Sequence, residues 1–178
     1  AYAEQDDRIR YHRAKENGGA VWNFIRVQEL AQGEFFKWVA HDDLIATDFL
    51  LKTVAALDQN EDAVLAMPRC AVIDDDGRVV TGDAADGTAM RTGEILTDAF
   101  YPKRRGRLIS DSPAQRYLAV LVNSMRCYEL FALIRRSALA ATTGYHSHPN
   151  AEKVLLAELA LRGKFVEVQG TGEQAVFD

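Results

Sequence analysis

Apolar positions recur along the chain with two different periods, and the switching between them predicts an α/β domain. The stretch Asp6-Asp7-Arg8-Ile9-Arg10-Tyr11-His12 alternates polar and apolar side chains, the period of two expected of a short strand. Glu16-Asn17-Gly18-Gly19 then turns the chain, its glycines able to take positive φ. A helix follows over about 20–31, where Val21, Phe24, Ile25, Gln28 and Ala31 make one mostly apolar stripe at near-helical spacing. Gly33 stops it. Phe35 to Ala40 is an apolar and aromatic run of strand length, broken only by Lys37, and reads as a buried strand. Strand, helix and strand in this order imply a right-handed parallel crossover.

The pattern continues in the same manner. Asp48 to Asn60 predicts an amphipathic helix with Phe49, Leu50, Val54 and Leu57 inward, and Ala63 to Met67 a short buried strand. Cys70 to Ile73 and Arg78 to Val80 frame a hairpin around Asp74-Asp75-Asp76-Gly77. Those three aspartates lack the alternating oxygen ligands and distal glutamate of a calcium loop, so they read as a turn. From Thr81 to Ser112 periodic apolar residues are few, and a long excursion is expected, of the length that tends to carry function or to lack order. Pro113 opens a helix to about Val122 with Ser112 as its N-cap. Leu130 to Ile134 is a short strand, Arg135 begins another helix, and the polar loop 144–150 leads into a helix from Ala151 to Leu161. Gly163 stops that helix before a last strand, Phe165 to Val168. The whole predicts layers of helices around a mostly parallel sheet.

Composition narrows the picture. A chain of 178 residues with 48% hydrophobic and 26% charged side chains suits one domain with a sizeable core. Its net charge of -5 offers no broad attraction to nucleic acid or anionic lipid. The local run Lys103-Arg104-Arg105-Gly106-Arg107 reads as a solvated loop. The two cysteines, Cys70 and Cys127, lie far apart with no metal-ligand spacing, which points to reduced thiols and a cytoplasmic chain. No apolar run approaches the roughly 20 residues of a membrane-spanning helix.

The candidate chemistry lies at the end of the Phe35 to Ala40 strand, where the chain reads His41-Asp42-Asp43. Open α/β sheets place their ligand crevice at the C-terminal ends of strands. Two adjacent carboxylates repel one another, and a hard divalent cation with oxygen ligands offsets that repulsion. Mg²⁺ or Mn²⁺ held by one or two carboxylates takes its remaining ligands from water and phosphate, so a nucleotide diphosphate would suit the site. Equally, Asp42-Asp43 can begin a turn, with Asp48 capping the next helix. His146-x-His148 has no third ligand nearby and reads as unliganded.

Asn17-Gly18-Gly19, Asn23, Leu30-Ala31-Gln32-Gly33-Glu34, Phe35-Phe36-Lys37-Trp38-Val39, His41-Asp42-Asp43 and Asp48-Phe49-Leu50, in that order, resemble the central part of a family 2 glycosyltransferase. The resemblance extends through Ile73-Asp74-Asp75-Asp76-Gly77-Arg78-Val79, Phe131 to Ser137 and Glu152 to Leu159, and is weak over Thr81 to Asn123. It implies a three-layer α/β/α GT-A fold, Rossmann-like and of the nucleotide-diphospho-sugar transferase kind. Residues 1–178 would form one partial domain, incomplete at the N-terminus, because the two upstream motifs that hold base and ribose in that family precede the point where this chain starts. Such a piece is expected to be inactive alone.

The resemblance also implies an activity: transfer of a sugar, with inversion, from a nucleotide-diphosphate sugar to a glycan, lipid or other acceptor hydroxyl. Asp42 and Asp43 would hold Mg²⁺ or Mn²⁺, and Asn17, Gly18, Asn23 and Asp42 would contact the donor. Asn17 and Gly18 are also ordinary turn residues, and Asn23 has Ile25 where close relatives repeat asparagine. Relatives carry an acid at the place of Glu152, which would serve as the base; an acid there is also favoured simply by the helix dipole. Tyr128 and Glu129 fall near the donor sugar in the family, and the 81–112 excursion would face the acceptor. Many relatives have a further Asp at the position of Ala40, so the direct metal ligand is left open between Asp42 and Asp43. The location implied is cytoplasmic, or peripheral at a membrane. Two other classes stay in play: a non-catalytic GT-A-like binding or scaffold domain, and nucleotidyl transfer, which usually shows a Gly-rich basic phosphate loop not found here.

Overall fold

The structure, a computed structural model, describes residues 2–41, 43–68, 70–73, 105–123, 127–168 and 174–177. In chain order these form α1 (Tyr2–Gln5), α2 (Gly19–Leu30), β1 (Phe35–Phe36), α3 (Phe49–Gln59), β2 (Ala63–Pro68), β3 (Cys70–Ile73), α4 (Arg105–Leu108) and α5 (Pro113–Asn123). A 3₁₀ turn (Tyr128–Phe131), β4 (Leu133–Arg135), α6 (Arg136–Ala140), α7 (Ala151–Arg162), β5 (Lys164–Val168) and β6 (Gln174–Phe177) complete it. The main sheet has four strands in the order β1-β4-β2-β5. β4 runs antiparallel to both its neighbours, β2 and β5 are parallel, and a separate parallel pair joins β3 to β6. The sheet is therefore mixed, not the mostly parallel one the pattern predicts.

Helices and later strands follow the apolar periodicity closely; α2, α3, α5, α7, β2 and β5 all fall within a residue or two of expectation. Along the strands, consecutive side chains are sorted into two separate apolar clusters. Phe36, Leu65, Ile134 and Phe165 join one with α5 and α7, whereas Phe35, Ala66, Leu133 and Val166 join the other with Phe49 and Leu57 of α3. That is the period of two at work: neighbouring residues on a strand point to opposite faces.

Other expectations fail as well. The alternating stretch 6–12 is not a strand. Asp6 Oδ1 accepts the Arg8 N–H at 3.0 Å and its Oδ2 takes the guanidinium at 2.6 Å, closing a tight local turn. Ile9 and Tyr11 stay 45% and 75% exposed, so the alternation has no face to bury, and among the described residues no strand precedes α2 to make a parallel crossover. The run 35–40 is hydrogen-bonded as a strand only at Phe35–Phe36, opposite Arg135 and Ile134. Beyond it the chain is held by side chains instead: Trp38 Nε1 donates to the Phe24 carbonyl at 3.1 Å and the Lys37 ammonium to the Phe131 carbonyl. In α3 the buried stripe is Phe49, Thr53 and Leu57, with Leu50 60% exposed. Thr53 can be buried because its hydroxyl donates to the Phe49 carbonyl at 2.7 Å.

Of the expected hairpin, β3 forms, but it pairs with β6; Asp74 to Gly77 and Arg78 to Val80 lie outside the described residues, as does most of the 81–112 excursion. Ser112 caps α5 as expected, its hydroxyl accepting the Gln115 N–H at 3.4 Å. Two features fix α7, which carries Glu152. Arg116, buried in α5, donates from Nε to the Ala160 carbonyl at 2.7 Å near the end of α7. At that end Gly163 lies against β2 so closely that a Cβ would stand 2.5 Å from the Asp62 carbonyl oxygen, so only glycine fits.

Candidate active site

The acid pair follows directly on the Trp38 anchor. His41 is exposed, Asp43 is half-buried on irregular chain, and Asp42 lies outside the described residues. Asp48 stands at the N-cap of α3 without a side-chain cap bond and instead pairs with Lys52 at 2.7 Å. Lys37, which interrupts the apolar run, lies with its ammonium 4.5 Å from the centroid of the Phe49 ring, at the start of that helix. Among the described residues no group of three His, Cys, Asp or Glu side chains is arranged to hold a metal ion. What the corner does supply is one hard carboxylate at Asp43, the donor type that suits Mg²⁺ or Mn²⁺ when water and phosphate complete the shell.

The residues at the start of α2 make local contacts. Asn17 Oδ1 accepts the Gly19 N–H at 2.9 Å, the local turn chemistry of asparagine, and Gly19 takes a positive φ of 79°. Gly18 is the N-cap at φ -80° and lies against the Trp22 ring. Asn23 lines an outer groove of about 910 Å³ together with Arg10, Arg13, Trp22 and Arg26. Its neighbour Phe24 projects elsewhere, into the pocket that holds Glu152.

That pocket, about 250 Å³, is lined by Phe24, Cys127, Phe131, Asn150, Glu152 and Lys153. Asn150 precedes α7 at φ 60° and sets Glu152 in the helix's first turn, where the partial positive charge of the N-terminus favours a carboxylate. Glu152 Oε1 accepts the Tyr145 hydroxyl at 2.6 Å. Tyr145 is only 8% exposed, packed on Phe24 with ring centroids 5.1 Å apart and near Trp38 at 6.1 Å. Phe24 in turn stacks on Trp38 at 5.8 Å and meets Phe131 edge-on at 6.3 Å. Burial first, then the Glu152 carboxylate, push the Tyr145 phenol well above its ordinary range.

One aromatic cluster therefore joins α2, the chain that delivers the acid pair, and the loop before Glu152. The sequence gives no sign that its members meet: Phe24 reads as a helix-stripe residue, Trp38 and Phe131 as strand residues and Tyr145 as part of a polar loop. Tyr145 lies outside the family-like segments, and the signal available was the glycine before it: Gly144 has φ 82° and fixes the loop's entry.

The other candidates fall elsewhere. Tyr128 and Glu129 are buried in the 3₁₀ turn, and Glu129 lines a different cavity of about 440 Å³ with Met67, Lys164 and Glu167. The His146 and His148 rings stack at 5.7 Å on an exposed loop.

Helices packed against a mixed sheet define an α/β domain of the kind that works on ligands at strand ends. The chain belongs to glycosyl transferase family 2, whose model matches residues 1–142. Membership implies the GT-A α/β fold and supports a glycosyltransferase that takes sugar from a nucleotide sugar to an acceptor. The match contains Asn17, Gly18, Asn23, Asp42 and Asp43, whereas Tyr145 and Glu152 lie beyond it. No curated protein matches the chain. Among the described residues no helix is long and apolar enough to cross a membrane.

Proposed function

We propose that residues 1–178 belong to a single three-layer GT-A domain that transfers a sugar, with inversion, from a nucleoside-diphosphate sugar to an acceptor hydroxyl. The observation that carries this reading is the placement of Glu152: a carboxylate at a helix N-terminus, in a pocket walled by Phe24 and Phe131, tied through Trp38 to the chain bearing Asp42-Asp43. The two apolar clusters that sort the strand side chains support the layered arrangement.

In the proposed reaction Glu152 takes the proton of the acceptor hydroxyl as its oxygen attacks the anomeric carbon. The bond from that carbon to the diphosphate breaks on the opposite side, and the nucleoside diphosphate leaves. Asp42 and Asp43 would hold Mg²⁺ or Mn²⁺, which neutralises charge developing on the leaving diphosphate. Asn17, Gly18 and Asn23 contribute on the donor side, where the basic groove beside Asn23 suits an anionic ligand. Phe24 and Phe131 exclude water from around the base.

Calorimetric titration of UDP and of GDP into the full-length protein, with and without Mn²⁺, tests the reading. Metal-dependent binding of either nucleotide is expected. Binding of neither by the folded protein would favour a non-catalytic domain of the same fold.

A further inference from the structure

The acid proposed as base is not held by its own helix alone. Tyr145 reaches Glu152 from the preceding loop, and its hydroxyl donates to Oε1 at 2.6 Å. The ring is fixed from three directions. Its backbone N–H donates to Gln28 Oε1 of α2 at 3.3 Å, its face packs on Phe24, and Trp38 stands beyond at 6.1 Å. Gly144, at φ 82°, passes so near the Gln28 amide that a Cβ would stand 3.0 Å from Nε2. The loop behind is pinned too, since Thr143 donates from both its N–H and its hydroxyl to Glu158 at 2.7 Å. A phenol so constrained has little freedom to leave its acceptor.

A carboxylate in a first helical turn can otherwise sample several rotamers, and a base that must meet one acceptor hydroxyl gains rate from being held in a single one. We propose that Tyr145 is the positioning residue for Glu152: it occupies Oε1 and thereby presents Oε2 to the acceptor hydroxyl in the Phe24-Phe131 pocket. This rests on the reading of Glu152 as the base. Tyr145 itself exchanges no proton with substrate. Because Trp38 and Phe24 belong to the same cluster, the arrangement also sets the base relative to the strand end that carries the acid pair.

The test is nucleotide release by the full-length protein from UDP-glucose, UDP-N-acetylglucosamine and GDP-mannose with Mn²⁺, water serving as acceptor. On whichever donor is turned over, Tyr145→Phe is expected to lower kcat about 10- to 100-fold with the donor KM unchanged, the signature of lost orientation as opposed to lost binding. In a Glu152→Gln background the same substitution should change kcat less than about twofold, because residues acting as a unit are not additive. Glu152→Asp gives a second route should Tyr145→Phe fold poorly: it keeps a carboxylate but draws it back from the phenol, and the same loss in kcat is expected.

The two readings fail differently. Wild-type turnover in Glu152→Gln sinks the base, whatever Tyr145 does. Slow Glu152→Gln together with wild-type kcat in Tyr145→Phe or in Glu152→Asp leaves the base standing and overturns the positioning role. An equal loss from Tyr145→Phe in both backgrounds overturns it as well.

Discussion

The corner that holds Asp43 and the corner that holds Glu152 are built in opposite ways. Asp43 follows a strand that keeps ladder bonding for two residues only and continues as irregular chain fastened at Lys37 and Trp38. Glu152 stands on a helix of 12 residues, anchored through Ala160 by Arg116 and bonded to a buried tyrosine. The contrast fits the two proposed tasks. A cation with its bound phosphates can gather carboxylates from irregular chain as it binds, the metal supplying the organising energy. A general base has no such partner before the acceptor arrives, so the protein must fix it beforehand.

The largest effect should come from the rigid corner. Glu152→Gln in the full-length protein is expected to lower transfer by about 10²- to 10⁴-fold while leaving nucleotide affinity unchanged. Steady-state nucleotide release beside calorimetric binding checks it; an unchanged rate would end the distinction drawn above. Next comes the side chain that serves both corners. Trp38 is 3% exposed, meets the Phe36 ring edge-on at 4.5 Å and bonds the Phe24 carbonyl. Trp38→Ala should cost about 3–5 kcal/mol of stability, read by chemical denaturation. At a temperature where the variant is still folded, both nucleotide binding and turnover should fall, whereas Tyr145→Phe should spare binding.

Asp43→Asn probes the loose corner. It keeps size and most hydrogen bonding but removes the charge that favours a divalent ion. Mn²⁺-dependent nucleotide binding should weaken about 10- to 100-fold, with metal-free binding and thermal stability little changed. If instead the variant unfolds, Asp43 is holding the chain together and the comparison is wrong about which corner is preorganised.

The same contrast explains what could be read from sequence. Helices α2, α3, α5 and α7 were legible because their apolar stripes recur over several turns, and periodicity sums over length. The mixed direction of the sheet was not, since it depends on β4 inserting between β1 and β2, and a strand's direction leaves no mark on its alternation. Residues 6–12 misled for a local reason: Asp6 satisfies Arg8 within the turn, so alternating polarity there reflects no buried face. Thr53 was overlooked because a hydroxyl that bonds the carbonyl four residues back can be buried at little cost, which hydropathy does not register. Of the candidate site, Glu152 could be proposed from resemblance alone. Its partner Tyr145 could not: the contact needs the loop 144–150 to fold back on α7, and that path is set by Gly144, Gln28 and Thr143 together.

The smallest expected effect concerns that loop. Burial alone would push the Glu158 carboxyl up, but the two hydrogen bonds from Thr143 outweigh it, Arg162 and His146 add to them, and the group lies below its ordinary value of 4.5. A carboxyl depressed by folding stabilises the native state above its unfolded-state value, and that contribution is lost as pH falls through the lower, folded-state value. At neutral pH Glu158→Gln should therefore cost about 0.5–1.5 kcal/mol, and the difference from wild type should shrink once the pH drops below about 4. Urea denaturation of both proteins across that range is the measurement. Because Glu158 acts on Tyr145 indirectly, through hydrogen bonds to Thr143 two residues before it, turnover should decline by no more than about threefold. A loss as deep as that of Tyr145→Phe would mean that the loop as a whole, and not the phenol, sets the carboxylate in place.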